Sequence, residues 1–281
     1  MKARSTVGRK FFNLFIKVMA YTGASIGLFF LLWILYVVMI QGVSAINWSF
    51  FTEMPSPPGM EGGGLANAIM GTLLITLIAT LIGVPIGLLA GVFLSEIAQS
   101  TRYAAWIRFL ANALMGTPSI IIGVFVYAAI VIPMGQFSGY AGAIALAIIM
   151  LPVIARTTED ILQMVPNALR ESALALGTTR WRTTLFVVFK SARTGLMTGV
   201  LLAVARVSGE TAPLLFTALN SQYWPDSLSD ATANLTVTIY NYAMSPYSDW
   251  QAMAWGASFL ITLAVLITNI STRIIFREKR G

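Results

Sequence analysis

Apolar residues run through this chain in stretches far longer than one face of a soluble helix requires. A helix needs roughly 20 apolar residues to cross a bilayer. Six stretches qualify, at about 18–40, 66–94, 109–133, 140–164, 191–219 and 251–272. The second is long enough to predict a tilted or bent helix. The fourth is apolar only as far as Ala155 and then continues as the helix-compatible RTTEDILQM. The first follows a basic start and is too long for the apolar region of a signal peptide, so it reads as a span. The predicted fold is all-α, a polytopic membrane protein with six transmembrane helices.

Composition agrees. Of 281 residues 57% are hydrophobic and only 10% are charged, against about 25% charged in a typical soluble domain. There is no Cys and no His, which excludes a disulfide framework, a thiolate site and the commonest general base. The net charge of +7 resembles a nucleic-acid signal until the charges are placed. Seventeen of the eighteen Lys and Arg residues fall at the termini or in the loops 95–108 and 156–193. The alternate loops, about 41–65, 134–139 and 220–250, hold none, but they hold Glu53, Glu61, Asp226, Asp230 and Asp249. Basic loops stay cytoplasmic, so both termini are expected there. The expected division is a cytoplasmic N-terminus at 1–17, a first helix at 18–40 and a periplasmic loop at 41–65. A core of five further helices at 66–272 and a cytoplasmic C-terminus at 273–281 complete it.

Inside the spans, Gly83, Gly87 and Gly91 recur every fourth residue, as do Thr72, Thr76 and Thr80. Small residues at that spacing let helices approach closely. Pro85 and the Gly116-Thr117-Pro118 run are expected to bend their helices. They serve ordinary packing or line a pathway. Residues 54–64, MPSPPGMEGGG, read as an irregular loop. The aromatics of 220–250 form either an interfacial belt or a docking surface.

The eighteenth basic residue is Arg206, in LLAVARVSGETAPLL. It lies about fifteen residues, or roughly 23 Å, into the predicted fifth span. Glu210 follows four residues later, on the same face of a continuous helix. Arg156 and Glu159 repeat the pattern on the fourth span. An intramembrane Arg costs about 2.5–3.5 kcal/mol on insertion scales, so the charges need a role. They hold helices in register as salt bridges, or they form an anion site. Guanidinium forks suit tetrahedral oxyanions. A Glu beside them accepts a hydrogen bond from a protonated oxyanion such as HPO₄²⁻, which sulfate cannot offer. Thr157, Thr158, Ser208 and Thr211 are hydroxyls near enough to complete such a shell. The candidate pathway residues are Arg156, Glu159, Arg206, Glu210 and Thr211.

Residues 166–177, PNALRESALALG, predict a short amphipathic helix starting at Pro166 or Asn167 and ending at Gly177. It lies at the interface or docks into a soluble partner. Glu171-Ser172-Ala173, with Gly177 six residues after the Glu, resembles the coupling motif of ABC-importer permease subunits. Lys190 stands where that motif carries a downstream Pro. The phrases ARTTED, VPNALRESALALGTTRW, LLAVARVSGETAPLLFTAL and TIYNYAMSP are more specific. They resemble the PstA family, permease subunits of phosphate ABC importers, in order and spacing from about residue 65 onward.

The resemblance implies the type I importer permease fold and no enzymatic activity in the chain. No G-x-x-x-x-G-K-[ST] run occurs. It implies a second, PstC-like permease subunit, a PstB-like ATPase dimer that binds the ATP and Mg, and a periplasmic PstS-like phosphate-binding protein. It places the chain in the bacterial inner membrane, among lipid, with no nucleic-acid partner. It assigns ATPase coupling to the segment of Arg170, Glu171, Ser172, Ala173 and Gly177, and transport to Arg156, Glu159 and Arg206. A permease for sulfate or molybdate, or an ion-coupled secondary transporter, is the alternative.

Overall fold

The computed structural model describes residues 6–60 and 62–275. Lys2, Arg4, Glu61, Arg277, Lys279 and Arg280 lie outside the described residues. Every described element is a helix. In chain order they are α1 (Thr6–Ala45), α2 (Trp48–Thr52), α3 (Ala66–Val92), α4 (Arg102–Gly116), α5 (Ser119–Val126), α6 (Ile132–Met134) and α7 (Gly139–Gln163). Then come α8 (Asn167–Ala175), α9 (Arg180–Arg182), α10 (Phe189–Val207), α11 (Ala212–Leu215), α12 (Leu235–Ala243) and α13 (Ser248–Ile275). π-helical turns at Phe93–Ile97, Tyr127–Val131 and Thr183–Val188 extend α3, join α5 to α6 and join α9 to α10.

Five of the resulting helical stretches, 8–45, 66–97, 139–163, 180–207 and 248–272, are long and apolar enough to cross a membrane. A sixth crossing exists if α4 and the 119–134 stretch count as one span, although they meet at 102°. The predicted third span, 109–133, is therefore broken. Pro118 has no N–H to donate, and the residue before a proline is forced out of the helical region. Thr117 is accordingly extended, at φ −78° and ψ 132°. Pro85, by contrast, sits inside α3, which runs on past it to Val92.

Two other boundaries differ from expectation. Helix α1 begins at Thr6 and runs to Ala45, so the helix extends beyond the apolar stretch 18–40 at both ends. The fifth span runs 180–207, where 191–219 was predicted. The apolar composition continues beyond Val207, but the helix does not. Ser208 closes it, Gly209 turns, and Pro213 follows in the one-turn α11.

The core is the α3–α7 pair. A Cβ on Gly87 would meet the Cβ of Ile154 at 2.8 Å, and one on Gly91 would strike Thr158. The glycine stripe thus lets α3 lie directly on α7. Ile75, Ala79, Leu146, Met150 and Ile154 fill this seam, and Val207, Leu214 and Ala218 close over it. The threonine stripe does something different. The Thr72 and Thr80 hydroxyls donate back to the Ala68 and Thr76 carbonyls, at 2.8 and 2.7 Å. Thr72 also accepts from the Leu235 N–H at 2.8 Å, which anchors the start of α12. Helix α1 meets the rest at its C-terminal end, where Gly42 packs against Trp255 and Phe259. Phe29, Trp33 and Tyr36 remain exposed along it.

The bundle has two chemically distinct ends. One gathers the 93–102 turn, the C-terminus of α7, α8 and the base of α10, linked by Arg108, Glu159, Arg170 and Glu96. The other joins Ser138 to Thr217, Gly139 to Asp230 and Asn67 to Ser221. The first end carries Arg102, Arg108, Arg156, Arg170, Arg180 and Arg182, and the second carries Glu53, Asp226, Asp230 and Asp249. The charge segregation read along the chain is therefore also segregation in space.

Candidate functional site

Glu159 sits on α7, fully buried at 1% exposure. A carboxylate out of water costs several kcal/mol unless it is paired and hydrogen-bonded. Glu159 is paired twice. Arg108 of α4 donates through Nε to Oε1 at 2.6 Å, and Arg156, one turn earlier on α7, donates through Nη1 to Oε2. Gln163 Nε2 adds a 3.2 Å bond to Oε1. Arg108 then spends its Nη2 on the carbonyls of Leu94 and Gln99, at 3.2 and 3.1 Å. A single guanidinium thus fastens α4, the end of α3 and α7 together. Asp160 lies 3.7 Å from Arg156 Nη2, but its side chain is 58% exposed, and such pairs contribute little. Helix α7 ends at Gln163, so Arg156 is roughly 10 Å from its end.

Arg206 behaves differently. It occupies the last turn of α10 and is exposed, with no ion-pair partner among the described residues. The helix stops at Val207, so Glu210 is not on its face, and the expected one-turn Arg206–Glu210 pair does not form. The chain unwinds through Ser208, Gly209 and Glu210. The Glu210 carbonyl accepts from the Thr236 hydroxyl at 3.0 Å, while its half-exposed carboxylate has no basic partner among the described residues. Thr211 is half-exposed beside it. The four charges therefore do not form one balanced cluster. Of the nearby hydroxyls, Thr158 is packed under Gly91, the Thr157 methyl fills the space over Gly199, and Ser208 donates to the Ala205 carbonyl.

The predicted amphipathic helix is present as α8, with Pro166 before it and Gly177 after it at φ +82°. That left-handed conformation favours glycine. Ala173 is buried, whereas Glu171 and Ser172 face outward, as do Leu169 and Leu176 of the expected apolar face. Arg170 turns inward. Its Nη2 donates to Glu96 Oε1 at 2.7 Å and to the Leu162 carbonyl at 2.8 Å, its Nε donates to Glu96 Oε2 at 3.2 Å, and its Nη1 reaches the Val165 carbonyl. The pair is largely buried and bidentate, the strong geometry for guanidinium and carboxylate. On the other side, the Thr178 and Thr183 hydroxyls bond at 2.7 Å. Helix α8 is thereby held between the π-helical turn that ends α3 and the one that starts α10.

Arg108 and Glu96 escaped sequence reasoning. Both fall in the segment 95–108, expected as a loop whose charges serve membrane orientation alone, and their partners are 51 and 74 residues away. The tell-tale is Glu96, the sole carboxylate in the 95–108 segment beside Arg102 and Arg108. The aromatics of 220–250 divide. Tyr223 and Tyr240 are exposed as a belt would be, but Tyr242 is buried and stacks on Trp250 at 4.3 Å. Burial pushes the Tyr242 hydroxyl pKa up.

Membrane-length helices around a glycine-packed pair, with a short helix tethered at the basic end, define a multi-pass helical membrane protein. The chain belongs to the family of binding-protein-dependent transport system inner membrane components, which it matches over residues 83–281. The phosphate transport system permease protein PstA of Haemophilus influenzae is 47% identical over 272 residues, covering 97% of this chain and 96% of that protein. The protein of the same name from Yersinia pestis is 46% identical over 254 residues, covering 90% and 86%. Among solved structures, a bacterial ABC transporter involved in the import of the acidic polysaccharide alginate superposes with a TM-score of 0.66. It covers 97% of this chain and 100% of that one at 15% identity, a likeness of fold.

Proposed function

We propose that this chain forms one half of the translocation pathway of an ATP-driven phosphate importer in the bacterial inner membrane. The observation that carries the reading is Arg206, without an ion-pair partner among the described residues and at the point where a membrane-length helix unwinds, in a chain whose near relatives are phosphate permeases. Its fork of donors is free to receive an oxyanion bidentately. Glu210 accepts the proton-borne hydrogen bond of HPO₄²⁻, and Thr211 supplies a hydroxyl. Glu159, whose carboxylate is saturated by Arg108, Arg156 and Gln163, sets the position of α7 and holds Arg156 beside it.

A second permease subunit completes the cavity, and a periplasmic binding protein delivers phosphate to the acidic end. Both termini and the basic end face the cytoplasm, where a separate ATPase dimer holds ATP and Mg. Glu171 and Ser172 of α8 face that ATPase. Arg170 and the Thr178–Thr183 contact pass its closure to α3 and to α10, the helix that carries Arg206 in its last turn. Movement at α8 thus reaches the anion site along a single helix, which is the mechanical basis of alternating access.

The test is uptake of labelled phosphate by cells lacking this chain and complemented with it. Restored uptake that a hundredfold excess of sulfate leaves intact supports the reading. Restored uptake of sulfate instead of phosphate overturns the substrate.

A further inference from the structure

At the acidic end lies a cavity of about 220 Å³, walled by Asn67, Asn220, Gln222, Asn241, Tyr242 and Trp250 among others. Its wall residues carry amides, the hydroxyls of Ser221, Thr238 and Tyr242 and a stacked aromatic pair, and no charge. Asn67, the second residue of α3, is 99% buried. Its Nδ2 donates to the carbonyls of Ser221 and Tyr223, at 2.9 and 3.5 Å. Its Oδ1 is the one buried side-chain polar atom without a hydrogen-bond partner among the described residues. A buried acceptor left unpaired is costly, so it marks a place where a donor belongs.

We infer that this cavity receives a lysine or arginine side chain from the soluble protein that delivers substrate. Amide oxygens on the wall accept its N–H groups, and the Tyr242–Trp250 pair offers an aromatic surface to its positive charge. The Tyr242 hydroxyl stays neutral and adds a further oxygen. Charge points the same way. Segments 41–65, 134–139 and 220–250 contain no Lys or Arg, but they carry Glu53, Asp226, Asp230 and Asp249. A basic side chain arriving at this face is steered toward it, and an acidic one is repelled. The cavity is a docking socket and not a second phosphate site, because it offers no cationic group to an anion.

The inference rests on the binding-protein-dependent phosphate reading above. Its test uses the whole permease–ATPase complex in proteoliposomes, with the phosphate-loaded binding protein titrated from the outer side. The quantity read is the binding-protein concentration that half-saturates ATP hydrolysis. Asn241 lies exposed at the rim, so substitutions there leave the fold intact. Asn241→Lys places a competing cation in the socket and should raise the half-saturating concentration about tenfold. Asn241→Asp should lower it about threefold, and both shifts should shrink in high salt. Shifts of the same sign, or no shift in either variant, overturn the socket while leaving the importer reading in place. Failure of the binding protein to stimulate the wild-type complex removes the phosphate reading, and the socket with it.

Discussion

Arg156–Glu159 and Arg206–Glu210 look alike along the chain, each an arginine followed by a glutamate about one turn later in an apolar setting. In the folded molecule they are opposites. Helix α7 continues through the first pair, so the two side chains meet, and Arg108 arrives from α4 to neutralise and bury the carboxylate. Helix α10 stops inside the second pair, so Glu210 swings off the helical face and Arg206 has no ion-pair partner among the described residues. In the first arrangement the carboxylate is saturated, and Arg108 fixes α3, α4 and α7 relative to one another. The second is open, and it is where we propose that the anion binds. Spacing yields pairing only where the helix persists, and the helix break is what separates the paired charges from the open ones.

The comparison predicts opposite phenotypes. Replacing Glu159 by Leu leaves two partly buried guanidiniums without their counter-ion and should cost roughly 3 kcal/mol of stability, visible as a lower denaturation midpoint of the detergent-solubilised complex. Glu159→Leu that melts normally yet does not transport would move Glu159 into the pathway and erase the contrast. Arg206→Ala should leave melting within about 0.5 kcal/mol of wild type. It should cut phosphate uptake by about 10- to 100-fold, the value of one charge-assisted anchor.

Between these lies the Arg170–Glu96 strut. Glu96→Gln removes the charge but keeps an acceptor, at a cost of about 1 kcal/mol. It should lower the phosphate imported per ATP hydrolysed, because α8 then moves without carrying α3. Tight coupling retained in that variant would leave the Thr178–Thr183 contact as the sole transmitter. The smallest effect belongs to Glu210→Gln. It should change the phosphate rate little but reduce discrimination against sulfate by about fivefold, the worth of one hydrogen bond. Unchanged discrimination would assign the preference for protonated phosphate to another residue or to the partner subunit.

Much of this was legible in the chain. The glycine stripe 83, 87, 91 foretold the α3–α7 seam, because a four-residue period of missing side chains has one consequence in a helix pair. Gly177 foretold the end of α8. The end of α10 was not legible, because its apolar composition runs on past Ser208 and hydropathy reports burial, not hydrogen bonding. The break at Thr117–Pro118 was visible as a bend but not as a turn of 102°. Arg108 and Glu96 were invisible for a different reason. Periodicity relates residues three or four apart, whereas their partners are brought close only by tertiary packing.

The most direct test of the contrast between the two arginines is a paired charge-conserving exchange, Arg206→Lys beside Arg156→Lys. Phosphate uptake per assembled complex and melting temperature are measured for both. Lysine keeps the charge and loses the fork. The account predicts that Arg206→Lys melts like wild type but transports about tenfold more slowly, while Arg156→Lys melts lower and transports at a near-normal rate per surviving complex. Normal uptake by Arg206→Lys, with uptake lost in a fully stable Arg156→Lys complex, would contradict it and place the anion at α7 instead.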